Sequence, residues 1–372
     1  MRLRREERHS LRSVSPTSIN IPRYHNAKDK RLLMKIAIEE RLLHFKQPAG
    51  TSRGVYTVRR IWLVTMTDGN SIGVGECAPL PQLSCDDIPN YGEVLSHFCD
   101  VMEKTGEIDY EGLRDYPSML FGLETALLSL RNGERLFNTP FSRGVVGIPI
   151  NGLVWMGTFD EMSRRIEEKL QQGFRCIKLK IGAIDFESEL ELLKKIRKCF
   201  GPREVELRVD ANGAFSYDRA LGQLEQLSQY ALHSIEQPIK AGQWDLMAEL
   251  CRDASLRIAL DEELIGINDP VQKRQMLNVI RPAFIILKPS LHGGMMGCRE
   301  WIEIAQDLGI GSWMTSALES NVGLNAIAQF CSSVYGDNIL FPQGLGTGLL
   351  FTDNIEMPLE IRGDQLWITR RS

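Results

Sequence analysis

The chain has 372 residues, of which 43% are hydrophobic and 25% are charged. These are ordinary values for a globular protein, and they exclude collagen-like, disordered and disulfide-scaffold classes. The length fits either two average domains or one α/β barrel of about 250 residues with a smaller addition. The net charge of −4 gives no electrostatic indication of a nucleic-acid or membrane-surface partner.

The charge is unevenly distributed along the chain. Residues 1–33 contain nine Lys or Arg and three Asp or Glu, a net charge of +6, so the remaining residues carry −10. We interpret residues 1–33 as a disordered basic arm or as a start assigned upstream of a true initiation at Met34. The Arg and Ser content faintly resembles a transit peptide, but Glu6 and Glu7 disfavour that interpretation.

The lack of a recognisable targeting signal and the spacing of the cysteines predict a cytoplasmic protein. The sequence contains no apolar run of the roughly 18 residues that a membrane span needs, and no secretory signal. Its eight cysteines form no C-x-x-C pair. We therefore expect reduced thiols in a cytoplasmic protein.

Residues 34–145 are predicted to form a small α+β capping domain. Strand-like runs start near Lys35, Tyr56 and Ile72, and helical patterns cover about 87–105 and 118–131. Residues 47–54 are rich in small side chains and are predicted to form a long loop of the kind that often closes over a site. The strand-like tail, residues 351–372, is expected to complete this domain.

From residue 146 to 350, short apolar runs alternate with amphipathic helical stretches. This alternation is typical of parallel strands joined by crossover helices, and eight such strands close into a barrel. The predicted fold is therefore α/β: a TIM-type (β/α) barrel, which forms the catalytic domain, with an N-terminal α+β capping domain. The eight runs lie at residues 148–150, 176–181, 206–210, 234–236, 258–261, 284–288, 311–315 and 342–346.

Charged residues end five consecutive runs, one strand–helix unit apart: Lys180, Asp210, Glu236, Asp261 and Lys288. Charges are costly inside parallel strands, whereas the carboxyl ends of barrel strands are where barrel enzymes build their sites. Three carboxylates on adjacent strands would meet at one point and need a cation. Oxygen ligands suit Mg²⁺, for which Mn²⁺ substitutes. The alternative is that each acid caps a helix or pairs with an Arg.

Two lysines, Lys178 and Lys180, are two residues apart on one strand and therefore point to the same side. Their proximity is predicted to lower a lysine pKa, which favours a general base. Lys288, four strands further on, would lie opposite them in an eight-stranded barrel. Such a pair suits proton removal beside a metal-held carboxylate, followed by stabilisation of the enediolate. The alternative is that the lysines are only salt-bridge partners of the acids.

These motifs, in this order and spacing, resemble the enolase superfamily in its muconate-lactonising-type subgroup. The resemblance runs from about Met34 to the C-terminus and implies catalytic lysines at 180 and 288 and metal ligands at 210, 236 and 261. The matching motifs are Lys178-Leu179-Lys180, Asp210-Ala211-Asn212, Glu236-Gln237-Pro238, Asp261-Glu262 and Lys288-Pro289.

Within the subgroup, residues 48–54, 75–80, 315–320 and 344–347 are most similar to the o-succinylbenzoate synthase family. That resemblance implies the syn-dehydration of 2-succinyl-6-hydroxy-2,4-cyclohexadiene-1-carboxylate to 2-succinylbenzoate in menaquinone biosynthesis. The alternatives are an N-succinylamino-acid racemase, a dipeptide epimerase and, more remotely, a non-catalytic barrel that binds a ligand. Residues 344–347 lack the D-x-D pair usual in epimerases, which disfavours only the dipeptide epimerase.

Four further residues are candidates for contact with a small carboxylate substrate. Arg53 is predicted to hold the succinyl carboxylate and Lys178 to bind substrate, with Asn212 and Ser316 as additional contacts. The alternatives are an exposed loop arginine for Arg53, support of the metal ligands for Asn212 and a helix N-cap for Ser316. The sequence predicts no other partner and leaves the oligomeric state open.

Overall fold

The computed structural model describes residues 34–51, 54–182, 184–337 and 339–369. Its N-terminal part is a three-stranded antiparallel sheet that shares an apolar core with two helices. The predicted basic arm, residues 1–33, lies outside the described residues. The strands are β1 (Lys35–Thr51), β2 (Gly54–Thr67) and β3 (Ile72–Cys77), and the helices are α1 (Tyr91–Thr105) and α2 (Pro117–Asn132).

Strand β3 and helix α2 pack at very short range. A Cβ atom added at Gly73 would lie 2.2 Å from the Ala126 backbone oxygen, and one at Gly75 would lie 2.0 Å from that of Gly122. No side chain fits at such distances, so glycine is required at both positions.

Residues 47–51 differ from the predicted long loop, because they continue β1. The register shifts between His44 and Ala49, which pair with Val58 and Tyr56. The intervening residues leave the ladder: Phe45 bridges to Phe351 instead. Pro48 lies in this segment, where its missing N–H group costs no ladder hydrogen bond.

The rest of the chain alternates strands with helices, as predicted. Local signals fix several helix starts: Thr158 and Glu161 form a capping box, and the Asp269 side chain accepts two N–H groups of the first turn. None of the described helices is long and apolar enough to cross a membrane. The strands are β4 (Ile148–Pro149), β5 (Gly152–Val154), β6 (Cys176–Lys180), β7 (Glu206–Asp210), β8 (Ser234–Glu236), β9 (Ile258–Leu260), β10 (Phe284–Leu287) and β11 (Gly311–Met314), and the helices are α3 (Phe159–Gln171), α4 (Phe186–Cys199), α5 (Tyr217–Ser228), α6 (Trp244–Asp253), α7 (Pro270–Ile280), α8 (Gly294–Asp307) and α9 (Asn321–Tyr335).

Strands β5 to β11 form one parallel sheet in sequence order. The sheet is closed by the short segment that contains Gln343 and Gly344. Gln343 bridges in parallel to Ile150, and Gly344 bridges in parallel to Thr315. The predicted eighth strand is therefore a pair of bridges, and the fold is the predicted TIM-type barrel with an N-terminal α+β capping domain.

The C-terminal tail adds β12 (Leu359–Arg362) and β13 (Gln365–Ile368). These strands form an antiparallel sheet with β4 rather than with β1–β3. Near the tail, Lys46 donates its backbone N–H to the Leu350 carbonyl at 2.8 Å. Residues 350–353 thus contact β1, and Phe351, Ile355 and Met357 pack with Leu43 and Ile61 of the capping sheet. The strands β12 and β13 pair with β4 instead, so the place of residues 351–372 in the capping domain stays a prediction.

Two buried glutamates bind the N-termini of barrel helices. Both belong to the capping part of the molecule, which consists of β1–β3, α1 and α2. Glu76, in β3, accepts the backbone N–H groups of Ser320 and Gly323 at 2.8 Å each, at the start of α9. Glu124, in α2, accepts that of Met295 at 2.5 Å, at the start of α8. These oxygens accept N–H groups that have no partner within the helix at its start, so the contacts join the capping part to the barrel.

Glu124 is expected to make the stability of the protein depend on pH. Burial raises its pKa from 4.5 to about 8, although the backbone N–H groups of α8 oppose the shift. The folded state then holds the proton more tightly than the unfolded chain, so stability is full below about pH 4.5 and falls as the pH rises towards 8. A shift of this size corresponds to at most about 5 kcal/mol.

Urea unfolding between pH 5 and 9, for the wild type and Glu124→Gln, measures this contribution. We expect the wild type to lose stability relative to Glu124→Gln as the pH rises to 8, and the difference to stay constant above that value. A difference that does not change with pH would contradict the assignment.

Candidate active site

The charged residues at the strand ends lie at matching heights across the barrel. Lys180 in β6 is the register partner of Asp210 in β7, and Asp210 is the partner of Glu236 in β8. Asp261 and Lys288 directly follow β9 and β10. The in-register parallel ladder therefore collects the five side chains at the carboxyl ends of neighbouring strands.

Lysine ammonium groups lie directly between the acids. Lys178 Nζ is 2.9 Å from Asp210 Oδ2 and 2.5 Å from Glu236 Oε2, while Lys180 Nζ is 3.0 Å from Asp210 Oδ2. Lys288 Nζ donates to Asp261 in a short hydrogen bond. The lysines are thus salt-bridge partners of the acids in this structure, the alternative that the sequence left open.

The pKa values of the carboxyl groups diverge because their neighbours differ. For Asp210, burial raises the pKa, but Lys178 and Lys180 outweigh it and leave the pKa well below its usual value. For Glu236, burial and the nearby Asp210 carboxylate raise the pKa well above its usual value. For Asp261, the opposing charge of Lys288 overcomes burial and lowers the pKa.

The predicted lowering of a lysine pKa is wrong for Lys178. Burial does lower the pKa of this ammonium group, but Asp210 and Glu236 reverse the effect and place it above the ordinary value. The pKa of Lys288 is likewise raised, since Asp261 and Glu236 outweigh burial. The attraction of the acids therefore exceeds the effect that the spacing of Lys178 and Lys180 predicted.

A pocket opens above these residues. Its floor contains Lys178, Lys180, Asp210 and Lys288, and its walls come from both parts of the chain. The capping part contributes Tyr56, Leu80 and Leu83, which no local sequence pattern marked as site residues. The other lining residues are Asn151, Leu153, Trp155, Asn212, Glu262, Leu291, Thr315, Ser316, Ala317, Leu318, Gly344, Gly346 and Thr347.

Comparisons with known proteins agree with this architecture. The family described as Enolase C-terminal domain-like matches residues 161–368, more than half of the chain, and the one described as MenC, N-terminal domain, matches residues 52–130. The o-succinylbenzoate synthase of Desulfotalea psychrophila is 43% identical, over 90% of this chain and 99% of that protein. This chain belongs to the o-succinylbenzoate synthase family of the enolase superfamily.

Solved structures of the superfamily have the same fold. The crystal structure of MenC from Desulfotalea psychrophila LSv54 has a TM-score of 0.77 and 41% identity, over 90% of this chain and 99% of that one. A dipeptide epimerase from Methylococcus capsulatus, complexed with Mg and the dipeptide L-Arg-D-Lys, has a TM-score of 0.75 and 18% identity, over 91% and 97%. At that identity the second likeness concerns the fold alone.

Asn212 and Ser316, the two further candidates for substrate contact, both line the pocket, but their polar groups already have partners. Asn212 Oδ1 accepts from Lys180 Nζ at 2.7 Å, and its Nδ2 donates to Glu262 Oε1 at 3.0 Å. Ser316 donates to Glu319 at 2.7 Å and is not the N-cap of α9, which is Ser320. The predicted contact Arg53 lies outside the described residues.

The three acids fit a divalent cation in charge and donor type but not in their present arrangement. No three Asp, Glu, His or Cys side chains among the described residues are grouped closely enough to hold one metal. In this arrangement, Lys178 and Lys288 supply the positive charge that the buried carboxylates need. Two buried oxygens, Glu236 Oε1 and Asp261 Oδ1, nevertheless receive no hydrogen bond from a lysine or a backbone N–H group, so either a proton shared by the two carboxyl groups or a bound cation would satisfy them.

Proposed function

We propose that this protein catalyses the syn-dehydration of 2-succinyl-6-hydroxy-2,4-cyclohexadiene-1-carboxylate to 2-succinylbenzoate, the reaction implied by its family. One observation carries the proposal. Lys180 and Lys288 line one pocket from strands four places apart, with the three acids on the strands between them, in a chain 43% identical to an o-succinylbenzoate synthase along 99% of that enzyme.

In the proposed reaction, Lys180 removes the proton α to the ring carboxylate. The C–H electron pair moves into the enediolate, and its return expels the hydroxyl group on the neighbouring carbon. Lys180 then gives the proton to the departing oxygen, so water leaves and the ring becomes aromatic. A single base on one face suffices because the two groups leave from the same side.

The other residues position and stabilise charge. Asn212 holds Lys180 Nζ, which restricts where the base can reach. Lys288 keeps a positive charge opposite Lys180 and stabilises the negative charge of the enediolate, while Lys178 binds the substrate. Arg53 is proposed to hold the succinyl carboxylate. The apolar wall formed by Leu80, Trp155 and their neighbours excludes water from the ring.

We also propose that Asp210, Glu236 and Asp261 hold Mg²⁺, or Mn²⁺ in its place. When bound, the cation supplies positive charge next to the substrate carboxylate, which makes the α-proton more acidic. The Glu236 and Asp261 oxygens that receive no hydrogen bond from a lysine or a backbone N–H group support this proposal. The cytoplasmic location and the boundaries of the capping domain and barrel, near residues 145 and 350, also remain predictions.

The direct test is an assay of aromatisation. Purified protein with Mg²⁺ and the cyclohexadiene substrate is expected to produce 2-succinylbenzoate. The change in absorbance measures the rate, and NMR confirms the product. Opposed lysines would also permit racemisation, so an N-succinylamino acid is incubated in D₂O in parallel. Exchange of its α-proton without any aromatisation of the cyclohexadiene would contradict the synthase activity and support the racemase activity. No reaction of either substrate would refute both activities.

A further inference from the structure

A buried carboxylate outside the predicted catalytic set joins the loops that form one wall of the pocket. Glu319 lies between β11 and α9 and is completely buried. Its Oε2 accepts from Ser316 Oγ and from the Ala317 backbone N–H, each at 2.7 Å. Its Oε1 accepts a short hydrogen bond from Ser290 Oγ. Ser290 lies only two residues beyond Lys288, so one carboxylate spans the loops that follow β10 and β11.

The loop after the eighth barrel segment joins the same network. Ser316 Oγ accepts two hydrogen bonds, one from Thr347 Oγ1 at 2.9 Å and one from the Leu318 backbone N–H at 3.1 Å. The single proton of Ser316 goes to Glu319, so this hydroxyl has no hydrogen left to donate to a substrate. Ser316 and Thr347 line the pocket. The network therefore fixes the shape of the wall.

A buried cation holds the same loop from the capping part. Arg59, in β2, is 1% exposed and donates to the carbonyl oxygens of Leu318 at 3.1 Å and Ala78 at 2.6 Å. Burial lowers the pKa of its guanidinium group, and the charges of Glu319 and Glu76 counteract that effect. The carboxylate of Glu319 thus has both hydrogen-bond donors and a balancing positive charge, which a buried charge requires.

We propose that Glu319 is a positioning residue that fixes the loops after the sixth, seventh and eighth barrel strands, and with them the shape of the substrate pocket. The proposal rests on the proposed function only in that the substrate occupies this pocket. Lys180 is on the far side of the barrel and makes no contact with the network among the described residues. Loss of the carboxylate should therefore weaken binding and leave proton transfer intact.

The test compares Glu319→Gln with Glu124→Gln. Both exchange a buried glutamate for glutamine, but Glu124 contacts α8 and does not line the pocket. For Glu319→Gln we expect KM for the cyclohexadiene to rise about tenfold, the loss of one hydrogen bond to a charged group, with kcat within about threefold. The Kd of the product, measured by calorimetry, should rise in parallel, and Glu124→Gln should stay within about twofold of the wild type.

Removal of Ser290 gives a second, milder measurement. Ser290→Ala should raise KM by itself, and it should add little in the Glu319→Gln background, because the two residues act through one contact. If Glu319→Gln does not fold, Ser290→Ala and Ser316→Ala each remove one donor and retain the carboxylate. An unchanged KM and product Kd in these folded variants, or an equal rise in Glu124→Gln, would overturn the proposal. A wild type that neither turns over the substrate nor binds the product would instead refute the proposed function.

Discussion

Replacement of Lys180 by alanine is expected to lower kcat by about 10²- to 10⁴-fold, the usual contribution of a general acid–base group. The side chain is held at 3.0 Å from Asp210 Oδ2 and 2.7 Å from Asn212 Oδ1, at the pocket floor. Lys178, on the same strand, cannot replace it as a base, because Asp210 and Glu236 raise the pKa of its ammonium group. Single-turnover kinetics measure the loss at the chemical step.

Two control variants separate this role from folding. Lys180→Arg retains the positive charge but gives up basicity, since a guanidinium does not deprotonate at ordinary pH, and should be as inactive as the alanine variant. Lys194→Ala, at a side chain 65% exposed on α4, should be fully active. Asp210 keeps Lys178 as a partner in the alanine variant, so the fold should persist. More than a tenth of wild-type activity in folded Lys180→Ala would exclude Lys180 as the base.

Removal of divalent metal is expected to abolish activity and to lower the thermal stability. Asp210, Glu236 and Asp261 are each at most 3% exposed, and their mutual repulsion raises the pKa of Glu236 in addition to the effect of burial. A cation bound only by the folded state stabilises it by about 2.7 kcal/mol at a hundredfold excess over Kd. We therefore expect Tm to rise when Mg²⁺ is added to EDTA-treated protein, and activity to return with it.

Glu236→Gln tests the site independently of turnover. This variant should remain folded, because Lys178 keeps its salt bridge to Asp210. Its Tm, however, should no longer rise when Mg²⁺ is added. The matched control is Glu263→Gln, a buried carboxylate that binds Gln237 and the Gly242 N–H rather than the floor of the pocket; its response should match the wild type. A wild-type Tm and activity that ignore both EDTA and Mg²⁺ would refute the metal site.

The residues at the strand ends could be predicted because the barrel repeats. Each unit has nearly the same length, so Lys180, Asp210 and Glu236 follow one another in sequence as they do in register. Their charge in otherwise apolar strands marked them. The spacing could not show which charged groups are in contact. The predicted lowering of the Lys178 pKa was wrong because that pKa depends on the two carboxylate partners of the lysine.

Contacts between distant segments that do not follow from the barrel repeat could not be predicted. Tyr56 and Leu80 reach the pocket only because the capping sheet lies over the barrel. Ser290 and Glu319 bond across 29 residues, with a strand and a helix between them. The register shift in β1 between His44 and Ala49 lies beside the bridge from Phe45 to Phe351. Pairing over such distances leaves no local pattern.

The helix contacts of Glu76 and Glu124 bear on how this protein can change during evolution. Two barrel helices take acceptors for their first N–H groups from residues about 170 to 250 positions away. A barrel that exchanged its capping part for another would lose those acceptors unless the new part carried carboxylates at the same two places. Exchange of the capping part alone would therefore leave the starts of α8 and α9 without these acceptors, whereas substitutions at the pocket wall leave both contacts in place.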